Sequence, residues 1–429
     1  MNDQIGRFQY HRVQFKKDGT IHDDNEVNEL LKRIKEEAWD KSVFIAHGWN
    51  NNSAEADTLF TNLFENADTL LNGRSYGKLD DQKIGVIGLF WPSKKFTSKE
   101  LKPSGEATVD DTGYGQLVSE INAIVEFSAR EDAVELGARA ESLVRTMQGS
   151  ETQQDEFVAT IRDLLSDGTD QGELTQDFEL NGDQSGSEIL EALGDIELPD
   201  EENEFVGGAA GLGDVAGGIG RGATRFLNTL TYFTMKKRAG TVGVRGGAEL
   251  IKRVHEANNK LSIDVVGHSF GGRLVSAIAK AHADGGLDLI DTATLLQAAF
   301  SHYGFASGFR KGRDGFFRPV IEAVSVKRRI IVSFSENDKA VGRAYPLASR
   351  VNREDAAGLG DATDRFGGIG HNGAQKTPEA TFDLMLDCDK DYQFKESKIL
   401  NFDGKTHICD HSDVVNKHVA NLLLQTIAY

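Results

Sequence analysis

The sequence predicts an α/β fold, a mainly parallel β-sheet with helices on both faces, interrupted by one large acidic insertion. Three observations lead there. Short, almost unbroken apolar runs recur along the chain, as strands buried on both faces require. Stretches with helical spacing lie between them, so that strands and helices alternate. The alternation stops between about Lys94 and Arg238, and there the acidity of the chain is concentrated. Residues 151–205 hold 18 Asp and Glu against Arg162 alone, which is −17 of the net charge of −19.

Taken in order, Arg12–Phe15 reads as a weak, polar edge strand. Ser42–Ala46 and Ile84–Phe90 are stronger, the second wholly apolar or glycine. Ile263–Val266, Thr292–Leu296, Ile330–Phe334 and Ser397–Phe402 complete the set. Ala54–Leu71 places Leu59, Phe60, Leu63 and Phe64 on one helical face. Helices are also expected at Ala248–Asn258, Gly272–Ala283 and Val414–Ile427. Inside the insertion, Gln116–Met147 and Phe157–Leu165 have amphipathic helical patterns. Residues 166–204 are polar, acidic and Gly-rich. They bury too little apolar surface to offset ordering, so mobility is expected. The small-residue run 207–222 contains Gly218-Ile219-Gly220, but residue 223 is Ala and no strand precedes it. It is therefore a hinge or a helix-packing surface rather than a nucleotide loop. Domain limits follow: 1–94 with 236–429 as the core, 95–235 as the insertion.

The net charge argues against nucleic acid as a partner, since phosphate backbones attract basic surfaces. Two cysteines, Cys388 and Cys409, are too few for a disulfide framework. No His/Cys cluster has zinc-like spacing along the chain, and no catalytic metal or other cofactor is expected. The first residues lack a basic stretch followed by an apolar run, and nothing approaches the roughly 20 apolar residues of a membrane span. A soluble cytoplasmic protein is the expectation.

The segment that carries chemistry is Val265-Val266-Gly267-His268-Ser269-Phe270-Gly271-Gly272, a Gly-x-Ser-x-Gly pattern. An apolar strand ends at Gly267 and an apolar-faced helix begins directly after. A serine there must sit in a sharp strand-to-helix turn with its hydroxyl above the sheet. Gly267 and Gly271 are small because side chains at those positions would collide.

With this motif the chain resembles the α/β-hydrolase superfamily, in particular its lipase-like and serine-esterase-like branches. The resemblance covers roughly residues 40–94 and 230–427 and leaves out the acidic insertion. It implies a Ser-Asp-His triad in that chain order. Ser269 is the implied nucleophile. Asp338, in Ser335-Glu336-Asn337-Asp338 past a strand end, resembles the family acid, with Glu336 as local competitor. His411, in His411-Ser412-Asp413, resembles the family base opening the last helix, with Ser412 or Asp413 as its cap. His407 competes with it. His371, in a Gly-rich loop, reads as an exposed loop histidine. The oxyanion hole is implied at the backbone N–H groups of Phe270 and Trp49, the latter in His47-Gly48-Trp49, where Gly48 lets the chain turn. His47 is expected to hold that loop, and Trp91 to pack or line the pocket.

The resemblance implies a serine hydrolase cleaving a small-molecule or lipid ester through an acyl-enzyme. A lipase- or phospholipase-type effector acting on membrane lipid, or a binding protein that keeps the fold without the activity, are the alternatives. Residues 95–235 are expected to form a cap or lid, and a basic partner would suit the acidic block.

Overall fold

The fold is described here from a computed structural model, which describes residues 3–93, 114–165 except 129, 185–194, 218–344 except 310 and 311, and 367–428. These fall into two compact units. One holds residues 3–93, 236–344 and 367–428, the other residues 114–165, 185–194 and 218–235.

The first unit is built on a nine-stranded sheet: β1 (Gln4–Ile5), β2 (Phe8–Gln14), β3 (Lys41–Ala46), β4 (Ile84–Phe90), β5 (Ser262–His268), β6 (Ile290–Leu296), β7 (Val326–Phe334), β8 (Ala380–Leu384) and β9 (Ile399–Asp403). Their order across the sheet is β1-β2-β4-β3-β5-β6-β7-β9-β8, and every pairing is parallel except β1 with β2. From β3 the order runs β4, β2, β1 on one side and β5, β6, β7, β9, β8 on the other. β3 and β4 are buried at every position, as parallel strands covered on both faces should be.

Around this sheet lie α1 (Asp24–Glu36) and α2 (Ser53–Gly73). The second unit supplies α3 (Tyr114–Phe127), α4 (Ala133–Val144), α5 (Glu151–Leu165) and α6 (Gly186–Gly194). α7 (Gly218–Val242) belongs to the second unit up to Met235 and to the first from Lys236. α8 (Ala248–Ala257), α9 (Phe270–Asp284) and the short α10 (Arg318–Glu322), α11 (Ile369–Asn372) and α12 (Lys417–Ile427) complete the sheet unit. α2 opens with a reciprocal cap, in which Asn52 accepts from the Glu55 N–H and Glu55 from that of Asn52. Phe60, Leu63 and Phe64 of α2 and Leu422 and Leu423 of α12 share one core with Val43, Ile45, Val86 and Val266 of the strands. The alternate strand residues, Phe44 and Val265, are equally buried and need a second cover. α9 packs on β3, β5 and β6, with α8 and then α1 beside it.

Differences from the sequence reading have local causes. β2 extends to Phe8, and the two-residue β1 covers only Phe8 and Gln9 of its outer side, so Arg12–Gln14 has a strand partner on one side alone among the described residues. Its polar residues are absorbed: Arg12 lies 4.2 Å over the Phe90 ring and pairs with Asp57 at 3.1 Å. The expected helix over Gln116–Met147 is two helices. The chain turns at Ser128, whose Oγ donates to the Leu164 carbonyl, and Gly137 lets α4 close on Val125 of α3. Gly222 and Gly194 likewise let α6 and α7 approach backbone to backbone, so the described part of the small-residue run is a packing surface. Residues 166–184 and 195–204 of the acidic block, expected to be mobile, lie outside the described residues. The last helix starts at Lys417, three residues later than expected. Asn416 caps it, accepting from the His418 and Val419 N–H groups. Among the described residues no helix is long and apolar enough to cross a membrane.

At the opposite ends of the strands from Ser269, Lys41 of β3 reaches Asp264 of β5 at 2.7 Å, both side chains buried. Thr292 of β6 donates to the second Asp264 oxygen at 2.6 Å, and Lys41 also donates to Ser262. Burial pushes the Asp264 carboxyl up, against the pull of Lys41. Removing one partner of such a pair leaves a buried charge uncompensated. Lys41→Met is therefore expected to cost about 3–5 kcal/mol in chemical denaturation, and Lys41→Met with Asp264→Leu to recover most of it. A cost below about 1 kcal/mol for the single change would show that the pair does not hold the strands.

Candidate active site

Ser269 connects β5 directly to α9. Its backbone sits at φ 56°, ψ −123°, a region that L-residues rarely enter. Three contacts hold it there: its N–H donates to the Leu296 carbonyl, and its own carbonyl accepts from the Ala299 and Gly272 N–H groups, all at 3.0 Å. The flanking glycines are required by space. A Cβ on Gly271 would lie 2.1 Å from the Ala46 carbonyl oxygen, and one on Gly267 2.3 Å from that of Gly271. A Cβ on Gly48 would lie 2.8 Å from the Ser269 Cβ and 3.3 Å from both Ser269 Oγ and His268 Nδ1. The loop after β3 is therefore pressed against the serine because Gly48 has no side chain.

That loop is fixed by His47. Its ring stacks on Trp91 at 5.7 Å between centroids. Nδ1–H donates to the Gly48 carbonyl at 2.9 Å, and Nε2 accepts from the Trp91 N–H at 3.3 Å. The Trp91 indole N–H returns to the His47 carbonyl at 2.9 Å. Trp91 thus packs against the loop, and His47 is its strut. The Trp49 and Phe270 rings lie 6.1 Å apart. This brings together the two residues whose N–H groups the sequence pairs, with Phe270 as the first residue of α9.

Asp338 and His411 meet from loops that follow β7 and β9. Asp338 is fully buried; one carboxylate oxygen accepts His411 Nδ1–H at 2.8 Å and the other the Val341 N–H at 2.9 Å. Their loops are cross-tied. The Ile408 carbonyl accepts from Ser335 Oγ and Asn337 Nδ2, and the Gly404 N–H donates to the Phe334 carbonyl. His268, the neighbour of Ser269, completes the link. Its Nε2–H donates to the His411 carbonyl at 2.9 Å, with ring centroids 4.8 Å apart.

The competing residues fall elsewhere. Glu336 is exposed and paired with Lys405. His407 stacks on His418 at 4.1 Å, away from Asp338. His371 differs from the sequence reading: it is half-buried, and Nδ1–H donates to the Asp338 backbone carbonyl at 3.1 Å. A Cβ on Gly342 would strike its ring, so the loop is glycine where the histidine reaches the Asp338 backbone. Nothing in the spacing of His371 signals this contact. Ser412 and Asp413 do not cap α12. Instead the Ser412 and Asp413 N–H groups donate to Asp410, and Asp413 accepts from the Cys409 N–H, a tight turn that presents His411.

Two buried histidines bear on stability. Burial holds His47 down to about 4 and His268 down to about 3, the latter also disfavoured by the nearby His411 ring. Both stay neutral in the folded protein, whereas the unfolded chain takes up protons below about pH 6.5. Their contribution is complete above about pH 6.5 and is lost as pH falls, toward 4 for His47 and toward 3 for His268, at up to about 1.4 kcal/mol per pH unit for each. His47→Gln is expected to flatten the fall in stability between pH 6 and 4.5 by about 1 kcal/mol per unit. An unchanged slope would mean His47 is charged or exposed.

No family model, no curated protein and no solved structure matches the chain.

Proposed function

We propose that the protein is a serine hydrolase of the α/β-hydrolase type, cleaving carboxylic esters through Ser269, His411 and Asp338. The supporting observation is one arrangement: a serine in a strained turn between β5 and α9, whose neighbour His268 bonds the backbone of a histidine that is itself bonded to a buried aspartate at 2.8 Å. The chain order Ser, Asp, His and the loop after β3 lying against the serine agree with that fold's pattern.

In the proposed reaction, Ser269 Oγ attacks the ester carbonyl carbon while its proton passes to His411 Nε2. Asp338 keeps Nδ1 protonated, so Nε2 is the basic nitrogen, and stabilises the imidazolium that forms. The oxyanion is met by the Trp49 and Phe270 N–H groups, the second at the positive end of α9. His411 then gives its proton to the leaving alcohol. A water molecule attacks the acyl-enzyme with His411 as base and releases the acid. The choice of an ester follows the resemblance to lipases and esterases; the geometry equally suits other acyl groups.

A fluorophosphonate probe tests the reading. It should label the native protein at Ser269, as located by peptide mapping, and should not label the unfolded chain. Absence of labelling under native conditions would favour a non-catalytic protein with this fold.

A further inference from the structure

Away from Ser269, the described residues bring together Asp387, His407 and His418. Asp387 lies on the loop after β8. His407 precedes His411 by four residues on the loop after β9, and His418 is in the first turn of α12. No zinc-like spacing rule connects them, since they come from the loop after β8, the loop after β9 and the helix α12. His407 Nε2 and His418 Nδ1 face the same oxygen, Asp387 Oδ1, at 3.8 and 3.9 Å. The three donor atoms lie within 4.8 Å of one another.

These separations are too long for hydrogen bonds. Atoms so spaced lie at most about 2.5 Å from a common centre, a few tenths beyond zinc–nitrogen and zinc–oxygen bonds of about 2.0–2.2 Å. His418 Nδ1 is a buried atom with no hydrogen-bond partner among the described residues. A buried polar atom left in that state is costly and calls for an explanation. The rings are stacked 13° from parallel, so each must swing about its Cβ–Cγ bond, a soft torsion, for its lone pair to reach the centre.

The backbone around the donors is already fixed. Asn416 Nδ2 donates to the His407 carbonyl at 2.9 Å, and Asn416 Oδ1 accepts from the His418 N–H at 3.0 Å. One side chain therefore sets the spacing of two donors.

We propose that Asp387, His407 and His418 bind a divalent transition-metal ion of the zinc class. The ion ties the loop carrying His411 to the start of α12. Two imidazoles and one carboxylate suit Zn2+, whereas Ca2+ and Mg2+ prefer all-oxygen shells. Water takes the fourth position of a tetrahedral site. The site is independent of the hydrolase reading and survives its failure.

The test uses the full chain, stripped with EDTA and dialysed, then titrated with ZnCl2 or MgCl2. Calorimetry should show one Zn2+ per chain. At about a hundredfold excess over Kd the unfolding midpoint should rise by about 3 °C or more with Zn2+ and stay fixed with Mg2+. Asp387→Asn changes an exposed side chain and leaves the fold in place; it and His418→Ala should each weaken Zn2+ binding at least about tenfold. CoCl2 should give the visible absorption of a four-coordinate ion, lost in His418→Ala. No midpoint shift with Zn2+, or Zn2+ affinity unchanged in both variants, would overturn the proposal.

Discussion

Ser269→Ala is expected to lower kcat for a short-chain ester by about 10⁴–10⁶-fold, because the groups of a triad act as a unit and little remains once the nucleophile is gone. Stability should hardly change, since alanine meets the same positive-φ backbone as serine. The strain itself can be read separately. Ser269→Gly should be equally inactive but more stable by about 1 kcal/mol, because only glycine occupies that region without a steric cost. Denaturation midpoints and ester kinetics on the three proteins check both parts. Retained turnover in Ser269→Ala would remove the serine from the chemistry. A destabilised Ser269→Gly would mean that the turn is not strained.

Asp338→Asn and His411→Ala form the second pair. His411→Ala removes the proton acceptor and should approach the Ser269→Ala loss. Asp338→Asn keeps the shape of the buried side chain but presents an amide where Nδ1–H donates at 2.8 Å. A loss of about 10²–10⁴-fold in kcat is expected, from the wrong tautomer and the lost charge. Glu336→Gln, by contrast, alters an exposed carboxylate paired with Lys405 and should change kcat less than about twofold. If Glu336→Gln proved the more damaging change, the acid would have been misassigned within the same turn.

Much of the sheet was legible because its central strands are apolar on both faces. Ile84–Phe90 coincides with β4, and Ser42–Ala46 misses only Lys41. Lys41 reads as a polar boundary, and only the fold reveals that Asp264 neutralises it. The first half of β2, Phe8–His11, was missed because its polar residues Gln9 and His11 find partners on α1, with Arg33 donating to Gln9 and His11 to the Glu26 carbonyl. β8, an edge strand of five residues with exposed Phe382 and Leu384, has no continuous apolar run, and its short Ala-Thr-Phe-Asp-Leu alternation was missed. Among the candidate site residues, Ser269 was the most legible, because the glycine spacing is a local steric demand. Asp338 and His411 were named as candidates by the resemblance and its chain order, and only tertiary structure shows that His411, not His407, meets Asp338. The contacts of His268 and His371 with the backbones of His411 and Asp338 were hidden, since a backbone partner leaves no mark in the sequence.

The buried Lys41–Asp264 pair has a consequence beyond energy. β3 and β5 run parallel with Lys41 beside Ser262 and Ala46 beside Gly267. Two apolar strands could slide past each other with little change in burial, because a continuous hydrophobic run does not mark its own position. A single complementary charge pair does. A slip of one residue would turn one of the two charges to the other face of the sheet and shift the strands by about 3.3 Å. The far ends of the same strands carry Gly48 and Ser269, so that offset would carry the loop away from the serine by the width of an atom. The alignment of the two strands is thus set at one end of the sheet and used at the other.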